Sequence, residues 1–224
     1  MFSVVFEVRP APDQWETYLG LAKMLRPELE RVDGFIDNIR YRSLTREGWL
    51  LSLSNWRDEK SLVRWRTTAR HHEVQERGRS TVLLDYHLRV GQVTQDTEIP
   101  LGHDLREQRL DETEVGNGTT VMLLNAKRAT DWIATATAEE VVIELGLEPH
   151  AAGLLSWDCF DAVLMPGEVI ALATWADATA ARAGFKTISP SQNPIRQRSV
   201  RVIRDYGMFD RREAPQYYPD AMPR

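Results

Sequence analysis

Trp49-Leu50-Leu51-Ser52-Leu53-Ser54-Asn55-Trp56-Arg57-Asp58 has an echo in Val169-Ile170-Ala171-Leu172-Ala173-Thr174-Trp175-Ala176-Asp177. Trp56 and Trp175 are 119 positions apart. Each stretch reads as a strand that ends at a tryptophan and is followed by an aspartate able to cap a helix. Gly34 answers Gly153 at the same offset, and Asp85-Tyr86 answers Asp205-Tyr206 one residue further on. Self-similarity of this kind points to two copies of one supersecondary unit, so it is read before anything else.

Working outward, both halves show the same order of elements. Phe2 to Val8 alternates as a strand, and Asp13 is placed to cap a helix running to about Val32, with Pro27 in its last turns. Gly34 to Leu44 and Trp49 to Trp56 form a hairpin about Thr45-Arg46-Glu47-Gly48. Asp58 starts a second helix to about Arg77, and Ser80 to Val93 is the last strand. The second half repeats this with Thr119 to Arg128, a helix near Ala138 to Leu147, strands at Leu154 to Leu164 and Glu168 to Trp175, a helix from Asp177, and a strand from Arg198 to Asp210. Between them Thr94 to Gly118 is polar, acidic and without periodicity, a linker with room for a short helix near Asp104 to Arg109.

The order βαββαβ is the split-βαβ, ferredoxin-like unit, an antiparallel sheet with both helices on one face. The bare face of such a sheet has to be covered. The expected fold is therefore α+β: tandem ferredoxin-like repeats, residues 1–93 and 119–224 joined by the linker 94–118. They are expected to pack sheet to sheet as a dimeric α/β barrel within one chain, with a cavity between the sheets. The alternative is that each half pairs with its counterpart in a second chain, a homodimer.

Composition narrows the function. The chain has 224 residues and a formal charge of -5 from 28 basic and 33 acidic residues, with no basic stripe to suggest nucleic acid as a partner. No run of about 18 apolar residues is available to span a membrane. Met1 to Pro10 lacks the basic start of an export signal, so a cytoplasmic location is expected. Cys159 is the single cysteine, with no partner for a disulfide or a thiolate metal site. No phosphate-binding glycine loop, HExxH, GxSxG or CxxC occurs, and no metal site is expected.

Candidate chemistry concentrates in the first half. On the last strand, Val82, Leu84, Tyr86, Leu88 and Val90 share one face, expected beneath the helices. Asp85, His87 and Arg89 share the other, expected to look into the cavity: Asp85 and His87 would share a proton and Arg89 would hold an anion. Arg40 and Arg42 share a strand face, as do Ser52, Ser54 and Trp56; inward-pointing arginines imply a carboxylate or phenolate substrate. On the second helix, Trp65 and His72 share a side and His71 is splayed from Trp65, so at most one of the adjacent histidines faces inward. The second half has no histidine at the matching place but Pro190 and Pro194, so the site is expected to be asymmetric, with the loop around Ser189 to Asn193 as a lid.

The stretch Gly48 to Glu59, followed by Trp65-Arg66, His71, Gln75, Gly78-Arg79 and Asp85-Tyr86, resembles the antibiotic biosynthesis monooxygenase domain family. The resemblance covers residues 1–93; the second half matches in strand order, Trp175-Ala176-Asp177 and Asp205-Tyr206. It implies a dimeric α/β barrel and, among the family's activities, oxygenases that turn phenolic compounds into quinones without a cofactor. In those members an asparagine, a tryptophan and a tyrosine reach the pocket; Trp65 matches the tryptophan, His71 stands near the tyrosine, and Ser61 is closest to the asparagine place. Haem-degrading members use a strand asparagine and a histidine ten residues after the tryptophan, where this chain has Gln75.

The function expected from these readings is oxygenation of a small aromatic or phenolic substrate with no metal or flavin. His71, or His87 oriented by Asp85, would act as base beside Trp65, and Arg40, Arg42, Trp56, His72 and Arg89 would bind substrate. The alternatives are a haem-binding protein with His71 or His72 as axial ligand, and a non-catalytic module for a small ligand.

Overall fold

A computed structural model describes residues 1–184 and 194–218. The chain folds as β1 (Phe2–Pro10), α1 (Trp15–Leu29), β2 (Phe35–Ser43), β3 (Leu50–Trp56), α2 (Glu59–Arg66), α3 (Ala69–Arg77) and β4 (Leu83–Asp96), then β5 (Thr120–Lys127), α4 (Thr130–Thr135), α5 (Ala138–Glu144), β6 (Leu154–Ala162), β7 (Glu168–Trp175), α6 (Ala178–Ala183) and β8 (Arg196–Gly207). All eight strands close into one antiparallel barrel in the order β1-β3-β2-β6-β7-β5-β8-β4. Each half contributes four consecutive strands in matching order, β4-β1-β3-β2 and β8-β5-β7-β6. Closure is made where β2 meets β6, Tyr41 opposite Ala162, and where β4 meets β8, Leu88 opposite Tyr206.

The period-2 alternation of the strands sorts the side chains into two compartments. Val5, Leu51, Leu53, Tyr41, Leu123, Phe160, Leu172 and Val202 point inward and fill the barrel with an apolar core. The expected cavity between the sheets is therefore closed through the middle of the barrel. Those branched and aromatic side chains occupy the volume, and a polar bowl is left at one mouth. The outer face of β4-β1-β3-β2 lies beneath α1, α2 and α3; that of β8-β5-β7-β6 lies beneath α4, α5 and α6.

Several local expectations give way to specific contacts. A short 3-10 turn, Pro12–Gln14, precedes α1, and the Asp13 side chain does not cap it. The second helix is two helices, broken at Thr67-Thr68. There Thr67 Oγ1 donates to the Val63 carbonyl oxygen (2.9 Å) and Thr68 Oγ1 to that of Trp65 (3.0 Å), and Thr68 turns extended. Hydroxyls that bond the backbone in this way compete with helix continuation. Residues 103–113 form no helix and run irregularly along the barrel, Gln92 Oε1 accepting from the Gln108 and Arg109 amides. The loop around Ser189 to Asn193, expected to act as a lid, falls outside the described residues. No helix among the described residues is long and apolar enough to cross a membrane.

A candidate active site beneath the helices of the first half

The two halves treat the space beneath their helices differently. In the second half Val141, Val142, Leu145, Cys159 and Trp175 are fully buried there. A Cβ on Gly184 would lie 1.9 Å from the Trp175 ring, so no room is left. In the first half the same space is a cavity of about 230 Å³. Its floor is the outer face of the sheet, with the rows Val90, Val4, Ser54, Asn38 and Leu88, Phe6, Ser52, Arg40 set by strand register. Its roof is formed by α1 (Tyr18, Leu21, Leu25), α2 (Leu62, Trp65) and α3 (His71, Val74, Gln75). Small and polar residues at 38, 40, 52 and 54, where a core would need bulk, are what keep the volume open.

Asp58 sets the entry of α2. Its Oδ1 accepts from the Ser61 amide and hydroxyl (2.7 Å each). Burial alone would raise its carboxyl, but those bonds and Arg57 hold it down at about 2. Gly34, at φ +88, lies against this cap; a Cβ there would meet Ser61 Oγ at 2.1 Å. Ser61 is thus part of the cap and not of the cavity.

The break after α2 puts His71, and not His72, on Trp65. The two rings stack at 4.5 Å and 18°, and His71 Nδ1 donates to the Trp65 carbonyl oxygen (3.3 Å). That bond fixes the tautomer and leaves Nε2 with its lone pair. Burial lowers the imidazole to about 4, opposed by the bond to Trp65, so His71 is neutral at pH 7. An uncharged imidazole in an apolar cavity is a proton acceptor.

Charge in the cavity is one-sided. Arg40, Arg66, Arg79 and Arg211 line it, and among the described residues no aspartate or glutamate does. Arg40 Nε is buried with no hydrogen-bond partner. Beside Arg40, burial raises the Tyr18 hydroxyl, opposed by Arg40 and Ser52. Burial lowers Arg66, whose Nε is likewise without a partner.

The remaining candidates lie elsewhere. Arg42 leaves the cavity and pairs with Asp161 (2.9 Å) on the outside of the barrel. His72 is exposed and stacks on Tyr218 at 5.2 Å, its Nδ1 2.9 Å from the Tyr218 hydroxyl. Trp56 lines the cavity, its Nε1 donating to Ser54 Oγ (3.0 Å). His87 and Arg89 face the opposite side of β4, at the barrel mouth, so the two proposed bases, His71 and His87, serve different compartments.

Asp85 does not orient His87; it accepts from the Tyr86 amide (2.8 Å). The pairing falls instead to Asp205 on β8, whose Oδ1 accepts from His87 Nε2 at 2.5 Å, while Glu7 lies 3.5 Å from Nδ1. Burial would lower His87, but these two carboxylates raise it to about 8. Glu7 also takes Arg89 (2.5 Å) and Arg46 (2.6 Å) and is held far below the usual carboxylate range. Thr174 accepts from Arg89 (2.6 Å), and Asp158 pairs with Arg46 (2.6 Å). The barrel mouth is thus an ionic network that ties the halves together, with Arg89 Nε as a buried unpaired donor.

Sequence reasoning missed Tyr18, Asn38 and Arg211 as cavity residues. An asparagine does reach the cavity, but from β2 and not from the Ser61 place. The spacing His71, Gln75, Arg79, four and four, is a readable helix face; nothing local marks Arg211, which arrives from the end of the second half. Among the described residues no group of three or more histidine, cysteine or acidic side chains is placed to hold a metal ion.

Fold and cavity together define a ferredoxin-like α+β barrel protein with a chamber beneath the helices of its first half that carries a neutral histidine and an excess of arginine. The model of the family "antibiotic biosynthesis monooxygenase" matches residues 1–77. A curated relative, the jasmonate monooxygenase ABM of Pyricularia oryzae, is 52% identical over 228 aligned positions, which cover 99% of this chain and 100% of the relative. The chain belongs to the antibiotic biosynthesis monooxygenase family. Among solved structures, an aldoxime dehydratase covers 90% of this chain and 80% of its own at 11% identity and a TM-score of 0.52, a likeness of fold. A conserved protein from Methanosarcina mazei Go1 is 22% identical over 40% of this chain and 88% of its own, with a TM-score of 0.37.

Proposed function

We propose that the protein is a monooxygenase acting on a small, largely apolar organic anion in the chamber beneath α1, α2 and α3. The observation that carries this is the lining: four arginines, no acid among the described residues and a largely apolar roof, in a chain whose net charge is -5. An anion is favoured there because the guanidiniums meet it in a low-dielectric wall. The relative's name supplies jasmonate, a carboxylate, as the first compound to assay. A phenolate meets the same electrostatic requirement.

His71 takes a proton from an acidic O–H or activated C–H of the bound substrate, and the anion so formed reduces dioxygen. For conversion of a CH2 group the sum CH2 + O2 → C=O + H2O balances with no outside reductant. Simple hydroxylation of a C–H needs two further electrons from a donor. No cofactor is required for the first outcome. Haem, the alternative, fits poorly: a macrocycle is larger than a chamber of about 230 Å³, which a small organic acid suits. The exposed His72 is engaged by Tyr218.

The two matching halves are, in this reading, a tandem repeat in which the second unit takes the place of a dimer partner, and the enzyme works in the cytoplasm. The test is oxygen uptake by the purified protein with jasmonate and with a phenolic substrate, first without and then with an added reductant. Substrate-dependent uptake that His71→Ala lowers at least a hundredfold is expected. Uptake only with reductant removes the cofactor-free chemistry; saturable binding without turnover in either condition removes the enzyme.

A further inference from the structure

One end of the chamber is built by a segment from the far end of the described chain. After β8 the backbone turns back across the first half: the Met208 amide donates to the Tyr86 carbonyl oxygen (3.0 Å), and Gln216 Nε2 to that of Arg66 (3.3 Å). The Tyr218 hydroxyl donates to Gln75 Oε1 (3.0 Å). Residues 208–218 contain no helix or strand, yet Met208 and Tyr218 are buried, and Arg211, Gln216 and Tyr218 form part of the chamber wall.

Within that wall two guanidiniums converge. Arg79 Nη1 donates to the Tyr86 hydroxyl at 2.7 Å, and Arg211 Nη1 donates to the same oxygen. Arg79 lies over the rings of Tyr86 and Tyr218, and Arg211 over those of Tyr206 and Tyr218. Arg211 makes no ion pair with any described residue; its other bond goes to the Gln216 carbonyl oxygen (2.8 Å). Arg79 is further tied to the Met208 carbonyl oxygen (3.3 Å), so Arg211 is the guanidinium at this end whose charge a bound anion would offset.

Position then selects the kind of ligand. His71 lies in the first turn of α3 and Arg79 in the wider turn, Gly78–Val82, that follows its last residue Arg77, so most of the helix, roughly 9 Å at 1.5 Å per residue from His71 to Arg77, lies between them. Between them the lining is mostly apolar, with Val74, Leu83 and Leu88, and Gln75, the polar side chain on that face, accepts from the Tyr218 hydroxyl.

We infer that Arg211, delivered by the C-terminal segment, is the specificity-determining residue that with Arg79 holds the substrate's carboxylate at the end of the chamber away from His71. Resting on the proposed anion-oxidising function, this narrows the substrate to an elongated amphipathic carboxylate. Its carboxylate is gripped by the second half, and its apolar end lies under Trp65 and His71. It also gives the second half a task at a site whose other walls come from the first half.

The probe pair is 2-naphthoate and its uncharged methyl ester, titrated calorimetrically into the full-length protein. Wild type is expected to prefer the carboxylate. Arg211→Gln should weaken 2-naphthoate binding by roughly ten- to hundredfold, the usual worth of a charge-assisted bond, and leave the ester unchanged. Retained ester binding shows that the chamber is intact. Arg211→Lys should keep part of the preference.

If Arg211→Gln keeps the full preference while Arg40→Gln loses it, the carboxylate sits at the β2–β3 end: the inference falls and the anion reading stands. Equal binding of both probes by wild type, or binding of neither, overturns the anion reading and the inference with it.

Discussion

His71 shows how far a single side chain departs from its free chemistry when its surroundings are built around it. Stacked on Trp65 and bonded to that residue's carbonyl oxygen, it has one nitrogen occupied, one available, and burial lowers it to about 4. If it is the base, the acid limb of kcat/KM follows the free-enzyme value of that group. The expected profile therefore stays flat from neutrality down past pH 6 and falls only as pH nears 4 to 5. A limb centred near 6.5, the ordinary imidazole value, would assign the base to some other, less buried group. Its neighbour His72 is the built-in control: exposed and turned to Tyr218, it is expected to tolerate alanine with at most a few-fold change in kcat/KM.

At the scale of elements, the cap at Asp58 and the break at Thr67-Thr68 aim α2 and α3 at the chamber. Removing a cap of this kind costs about 1 kcal/mol. Asp58→Ala is expected to lower the thermal midpoint by a few degrees and to reduce kcat/KM, because Trp65 and His71 both hang from the element it anchors. A drop in midpoint with unchanged kcat/KM would separate the cap from the site. These elements also mark what a sequence makes legible. The hairpin at Thr45 to Gly48, the Asp58 and Asp177 caps and the apolar face of Tyr86, Leu88 and Val90 all depend on neighbours a few residues away, and each is found where periodicity puts it.

The helix break rests on two hydroxyl-to-carbonyl bonds whose geometry spacing does not encode, so which of His71 and His72 faces inward is not readable from the sequence. The chamber itself depends on which sheet face keeps unfilled volume. Both faces alternate alike in the sequence; the bulk of Leu51, Leu53, Phe160 and Leu172 closes one, and Ser52, Ser54 and Asn38 open the other. Arg211 is out of reach for the same reason that Asp205 displaces Asp85 as the partner of His87: both partners come from strands or segments more than a hundred residues away.

For the molecule as a whole, the barrel mouth and the barrel seams decide stability. His87 sits between Glu7 of β1 (3.5 Å) and Asp205 of β8, to which it is hydrogen-bonded (2.5 Å), and the two carboxylates raise it to about 8 in the folded state against an unfolded value near 6.5. A group raised on folding stabilises fully below its unfolded value and loses that contribution as pH climbs through its folded one. Stability by denaturant titration is thus expected to fall between pH 6.5 and 8 in wild type and to be flatter over that interval in His87→Gln.

The seams carry a stronger consequence. A chain ended at Asp96 would leave β2 without β6 and β4 without β8, two open edges beside a bare inner face of Val5, Tyr41, Leu51 and Leu53. Unpaired edges and an uncovered apolar face are satisfied by another copy of the same unit or by aggregation. Residues 1–96 alone are expected to run as a dimer or to precipitate, by size exclusion with light scattering. A folded, soluble monomer with native near-ultraviolet dichroism would mean that the first sheet does not need the second to cover it. The inner core would then contribute little to the stability of the whole.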